Sequence, residues 1–132
     1  MSLFVDTSAL YAFLVRSDAD HGAVATAFRS AAESGRRLVT TSYVLVETSA
    51  LLQHRIGLDP VRDLEGRIGP LLQVIWVGED LHRRALARLF RMNRRHVSLV
   101  DAVSFTVMEA EGVTDVLALD ADFTAEGFRL IP

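Results

Sequence analysis

Cysteine is absent from the 132-residue chain, and so is lysine: all fourteen basic residues are arginine. Without cysteine there is no disulfide, thiolate zinc site or cysteine nucleophile, and the expected setting is reducing and cytoplasmic. Without lysine there is no Schiff base, no P-loop lysine and no lysine of a receiver-type phosphorylation switch. The first apolar stretch is cut short by Asp6 and carries no basic segment before it, which predicts neither a secretory signal nor a transmembrane helix. Internal repeats, low-complexity tracts and linkers are missing as well.

What is present suits a single folded domain over residues 1–132, with half the residues hydrophobic and 23% charged. A net charge of −3 argues against a protein that coats nucleic acid non-specifically, so any basic face has to be local.

Apolar periodicity alternates between short runs and helical spacing. Strands are predicted at Leu3 to Val5, Arg37 to Thr40, Val74 to Val77 and Val116 to Leu119, with an edge strand at Phe128 to Ile131. Between them, helices are predicted over Ser8 to Val15, Gly22 to Ala32, Tyr43 to Arg55, Pro60 to Ile68, Asp80 to Met92 and Ser98 to Glu111. Thr41 or Ser42 and Ser98 are suitable N-caps, and Gly35, Gly57 and Gly112 are suitable stops. Such alternation predicts an α/β domain with a mostly parallel sheet of four to five strands, covered on both faces through right-handed crossovers.

That architecture sorts the acidic residues. Ligands of open α/β sheets bind where strands end and the following helices begin. Asp6 and Asp120 end strands, while Glu47 and Asp101 fall in the first turns of helices, so all four are expected at one edge. Glu109, Glu111 and Asp115 belong to the opposite edge, and Glu79 and Asp80 complement a helix N-terminus. Asp6 and Asp101 also suit helix capping, the latter in a box with Ser98. Glu47 sits in a segment apolar nearly all round, an expensive place for a lone carboxylate. Four carboxylates at one edge repel one another unless a cation neutralises them, and an all-oxygen set favours Mg²⁺, or Mn²⁺ in its place. Asp122 is a further acid that could replace or support a ligand. His21, His54, His82 and His96 lack metal-ligand spacing and are read as ordinary residues.

Nucleic acid near such an acidic centre needs a positive counterpart. Arg84, Arg88, Arg91 and Arg95 recur every three or four residues, forming a candidate RNA-binding stripe flanked by Arg83 and Arg94; a solvated helix face is the competing reading.

The segments Val5-Asp6-Thr7-Ser8-Ala9-Leu10, Leu45-Val46-Glu47-Thr48, Ser98-Leu99-Val100-Asp101-Ala102-Val103-Ser104-Phe105 and Leu119-Asp120-Ala121-Asp122-Phe123 resemble, in order, the acidic motifs of PIN-domain ribonucleases, especially the VapC-type toxins of toxin–antitoxin pairs. The resemblance covers nearly the whole chain. It implies a three-layer α/β/α sandwich with strand order 3-2-1-4-5 and Mg²⁺- or Mn²⁺-dependent cleavage of single-stranded RNA. It also implies a homodimer and inhibition by a cognate antitoxin. Asp6, Glu47, Asp101 and Asp120 would be the catalytic, metal-holding residues, with Thr7, Ser8, Ser98 and Asp122 around them. One departure is Val100, where many relatives carry Thr. Competing readings are a PIN-like protein-interaction module, a housekeeping RNA-processing nuclease and, from another class, a small-molecule phosphohydrolase. The last is disfavoured by the missing lysine and by the lack of a second aspartate two residues after Asp6.

Overall fold

A computed structural model describes residues 1–132. Five strands, β1 (Ser2–Val5), β2 (Arg37–Thr41), β3 (Gln73–Ile75), β4 (Asp115–Leu117) and β5 (Arg129–Ile131), form one sheet in the order β3-β2-β1-β4-β5. Every neighbouring pair is parallel. The helices are α1 (Thr7–Leu14), α2 (His21–Glu33), α3 (Ser42–Arg55), α4 (Asp59–Asp63), α5 (Glu79–Met92), α6 (Leu99–Glu111) and α7 (Asp122–Ala125). Right-handed crossovers put α1 to α4 on one face of the sheet and α5 to α7 on the other, giving the expected three-layer sandwich. No helix is long and apolar enough to cross a membrane.

Local chemistry sets the helix ends near the carboxyl edge of the sheet. The Asp6 side chain caps α1, accepting from the Ser8 backbone, and Thr41 caps α3, accepting from the Val44 N–H at 3.2 Å. Ser98 caps α6 in a complete box with Asp101. At the far end of α6, Gly112 takes φ +68°, a left-handed closure that a side chain would resist.

Two expectations are corrected. The helix anticipated from Pro60 to Ile68 is a five-residue α4 followed by a π turn at Leu64–Ile68 and a 3₁₀ turn at Gly69–Leu71. Gly66, Gly69 and Pro70 weaken α-helical continuation, and the widened turn still buries Leu64 and Ile68. The anticipated strand at Val116 to Leu119 ends at Leu117. Beyond it Asp120 accepts from the Asp122 N–H at 2.9 Å, an Asx turn that starts the short helix α7, which periodicity did not reveal.

Core packing fixes α6 and α7, which lie beside the acidic segments. Phe105 of α6 meets Phe123 of α7 edge-on with ring centroids 5.0 Å apart and stacks on Phe128 at 5.9 Å. Phe105 and Phe123 are fully buried, and each such ring contributes roughly 2–3 kcal/mol.

At the amino edge, Asp115 accepts from Arg129 Nη2 and from Arg36 Nη2, both at 2.9 Å. The Arg129 guanidinium, and then that of Arg36, hold its carboxyl below the usual carboxylate range. Its contribution to stability is therefore present at neutral pH and is lost as pH falls below that range. Replacing Asp115 by Ala strands Arg36, whose side chain is only 15% exposed; this should lower unfolding stability by about 2–3 kcal/mol, a value reduced for the exposure of Arg129. Chemical denaturation at pH 7 measures it, and a loss below about 0.5 kcal/mol would show that the clamp contributes little.

Candidate active site

The central strands β1 and β4 end side by side, and the Asp6 N–H continues the ladder to the Leu117 carbonyl at 3.0 Å. Asp6 is 4% exposed. Its Oδ2 accepts from Ser8 Oγ at 2.9 Å and from the Ser8 N–H at 3.3 Å, while its Oδ1 is buried with no hydrogen-bond partner. Burial raises the Asp6 pKa to about 7, against the lowering effect of the Ser8 bonds and with a smaller raising contribution from Asp101.

Asp101 is half-buried, and its Oδ2 accepts from the Ser98 N–H at 3.2 Å. Desolvation first, then the charges of Asp120 and Glu47, push its pKa up. Asp101 thus interacts with Asp6, Glu47 and Asp120, making it the electrostatic link among the four expected acids. Carboxylate oxygens of Asp101, Asp120 and Asp122 also lie within 4.8 Å of one another. The capping and clustering readings of Asp101 therefore hold together. Repulsion among the acids, anticipated from the sequence, is secondary to desolvation for both Asp6 and Asp101.

Neighbouring hydroxyls tie these elements into one frame. Ser8 Oγ both donates to Asp6 and accepts from the Leu119 N–H at 2.9 Å, joining the ends of β1 and β4 next to Asp120. Thr7 Oγ1 donates to the Val44 carbonyl at 3.4 Å, and Thr48 Oγ1 donates to the same carbonyl at 2.7 Å while standing 3.3 Å from Thr7 Oγ1. That network locks α1 onto α3, where Glu47 precedes Thr48. Val100 supplies no hydroxyl, but Ser104 Oγ donates to its carbonyl at 3.1 Å.

Asp122 sits inside the cluster with its charge already matched. Its Oδ1 accepts from Arg94 Nη2 at 2.8 Å and lies 3.1 Å from His96 Nε2. Sequence reasoning treated Arg94 as a flanking charge and His96 as ordinary; the basic run Arg94-Arg95-His96 before the Ser98 cap was the available signal. His82 pairs with Tyr43 at the start of α3.

The arginine stripe needs correction. Arg88 is turned inward, its side chain 14% exposed, with salt bridges of 2.9 Å to both Glu109 and Glu126. Its guanidinium also stands over the Phe105 ring at 5.5 Å. An apolar α6 surface beside two glutamates draws it in, and those glutamates raise its pKa despite desolvation. Arg84 pairs with Asp80 at 2.9 Å. The helix ends at Asn93 in the left-handed region (φ +50°), so Arg95 lies off it. Arg84, Arg91 and Arg95 are the exposed members of the stripe, and of these Arg84 is already paired with Asp80.

Asp101, Asp120 and Asp122 bring carboxylate oxygens together, a donor set that suits a hard divalent cation; the buried, unpartnered Oδ1 of Asp6 lies outside that trio, at the neighbouring strand end.

In chelator, stability should fall as pH rises from about 4, the unfolded carboxylate value, to about 7, the folded value for Asp6, because the folded state holds that proton more tightly. The full change is roughly 4 kcal/mol. Thermal unfolding between pH 5 and 8 should show a declining Tm for the wild type, a flatter profile for Asp6→Asn, and recovery of the wild type at pH 8 on adding Mn²⁺. A flat wild-type profile would mean that Asp6 is not held as a desolvated acid.

Comparison with known proteins points the same way as the geometry. Residues 3–127 match the family model described as PIN domain. The chain is 39% identical over 127 residues to the 23S rRNA-specific endonuclease VapC20 of Mycobacterium tuberculosis, covering 96% of this chain and 95% of that protein. Ribonuclease VapC26 of the same species is 26% identical over 122 residues, covering 89% and 86%. The crystal structure of M. tuberculosis VapC20, described as a sarcin–ricin loop cleaving toxin, superposes with TM-score 0.84 at 35% identity over 96% of each chain. FitAcB from Neisseria gonorrhoeae superposes with TM-score 0.71 at 13% identity over 98% of this chain and 96% of that one, a likeness of fold. With the acidic edge, the strand order and the match over nearly its whole length in agreement, the chain belongs to the PIN-domain family.

Proposed function

We propose that the protein is a divalent-metal-dependent endoribonuclease that cleaves single-stranded RNA and acts as the toxin of a toxin–antitoxin pair in the cytoplasm. The observation that carries this reading is Asp6: a nearly sealed carboxylate with one oxygen unpartnered, coupled through Asp101 to Asp120 and Glu47. The named activities of VapC20 and VapC26 support RNA as the substrate, and a ribosomal RNA loop is the first target to test. A PIN-like module acting only by protein contact would not need to sustain that desolvated group.

Asp6, Asp101 and Asp120 would hold the cation, with Glu47 ligating it or orienting the attacking water. A bound Mg²⁺ or Mn²⁺ supplies Lewis-acid polarisation of the phosphate and a more acidic water. The chain's own contribution is preorganisation. Ser8 sets the spacing between the ends of β1 and β4, Ser98 orients Asp101, and the Thr7–Thr48 pair orients the turn of α3 that bears Glu47. Arg94 and His96 engage Asp122 beside Asp101 and Asp120, offsetting part of its charge there.

Partners belong to the same proposal: an antitoxin protein, and a second copy of the chain that would cover exposed apolar side chains such as Ile56, Leu58 and Phe90. Light scattering gives the mass in solution.

Asp6→Asn and Asp101→Asn should each reduce cleavage of a single-stranded RNA more than about 100-fold in Mg²⁺ or Mn²⁺, while circular dichroism remains that of the folded wild type. Full activity in either variant would sink the site assignment. Reversing Arg91 and Arg95 to Glu should weaken RNA binding and flatten its salt dependence, because phosphate contacts release counterions. Arg88→Glu should instead unfold the α5–α6 contact. An unchanged salt slope in the Arg91/Arg95 variant would make both residues ordinary solvated charges.

A further inference from the structure

Resting on the ribonuclease reading, we propose that Trp76 is a stacking platform for a base of single-stranded RNA next to the cleavage point. Trp76 is the chain's only tryptophan and is 76% exposed, although an indole is among the side chains that gain most from burial. Its place in the sheet relates it to the acids. Phe4 pairs with Val39 and Thr41 with Ile75, so continuing the ladder from β1 sets Asp6 level with Thr41 and Ile75. Trp76 is the next residue beyond Ile75, at the same carboxyl edge. Two strand spacings separate its backbone from that of Asp6, roughly 10 Å. That span is about one or two nucleotides of an extended strand, close enough for a base on the indole to share a substrate with the acids.

The backbone beneath the platform is tethered. The Val77 N–H donates to Ser42 Oγ at 2.9 Å, pinning the segment after β3 to the first residue of α3, the helix that carries Glu47. A base bound on Trp76 is thereby positioned against the same element as one of the acids. The surroundings suit RNA more than a protein surface. Its apolar neighbours in the chain, Val74, Ile75 and Val77, are half-buried, and the exposed residues beside them are Gln73, Gly78, Glu79 and Asp80, not the wide contiguous apolar area of a protein interface. Glu79 and Asp80 would oppose phosphates, but they are paired with Arg83 at 3.2 Å and Arg84 at 2.9 Å. A lone exposed ring with compensated charge beside it offers a face for stacking, which any base can use and purines use best.

The test uses the full chain and ten-nucleotide oligo(A) and oligo(U) RNAs. In chelator, where the acids cannot act, binding of oligo(A) should quench the single tryptophan's fluorescence, and oligo(U) should quench it less. With Mn²⁺, Trp76→Ala should raise KM about 10-fold with kcat within about twofold, whereas Trp76→Phe should stay within about threefold of wild type in KM. Light scattering on all three proteins should give the same mass. Binding seen by fluorescence anisotropy of labelled RNA without tryptophan quenching would overturn the proposal. So would activity that falls in Trp76→Ala only together with a loss of mass, which would assign the indole to contact between copies. Wild-type protein that binds and quenches but cleaves neither these RNAs nor a ribosomal RNA loop oligonucleotide would instead defeat the ribonuclease reading and leave the stacking role standing; protein that binds none of the three would defeat both.

Discussion

A carboxylate sealed at the end of the central strand is the constraint around which the rest is arranged. Asp6 lies between β2 and β4 at the point where the strand order reverses, and it can be buried there because the backbone on both sides is already paired. The cost of desolvating it is offset in part by Ser8, which donates to one oxygen. The other oxygen is left for something that the protein does not provide from its own side chains. Strand ends, helix starts and the hydroxyls of Thr7, Ser8 and Thr48 are the means by which this unfavourable local arrangement is tolerated inside a stable fold.

Arginine serves two separate purposes in a chain without lysine. Arg36, Arg88 and Arg94, themselves partly buried, and the exposed Arg129 use the planar fork to meet carboxylates, joining strands to strands and α5 to α6 and α7. Arg91 and Arg95 remain in solvent. A sequence stripe counts both kinds alike, although only the exposed kind is available to a phosphate.

The order of strands and helices was legible because apolar periodicity changes cleanly from one element to the next, and because Thr41, Ser98 and Gly112 mark boundaries with their own chemistry. The acidic edge followed from topology, since a residue that ends a parallel strand and one that begins a crossover helix must share a side of the sheet. Hidden from the sequence were features set by tertiary choice. Arg88 turns inward because Glu109 and Glu126 come from other elements, and Asp122 is engaged by a loop 26 and 28 residues away along the chain. The helix after Pro60 is weakened by Gly66, Gly69 and Pro70, but the widened turn that keeps both Leu64 and Ile68 in the core is visible only in packing. The dominance of desolvation over repulsion at Asp6 could likewise not be read without knowing how deeply the strand end is covered.

The Asp115 clamp and the acidic cluster occupy opposite ends of the same strands. Asp115 opens β4 and Asp120 follows its close, with only the short apolar stretch of the strand and its exit between them. Cohesion and chemistry are therefore assigned to different termini of one strand. In evolutionary terms, the turns that would meet a substrate can diversify rapidly without drawing on the contacts that keep the sheet assembled, so a lineage built on this scaffold can change targets faster than it changes shape.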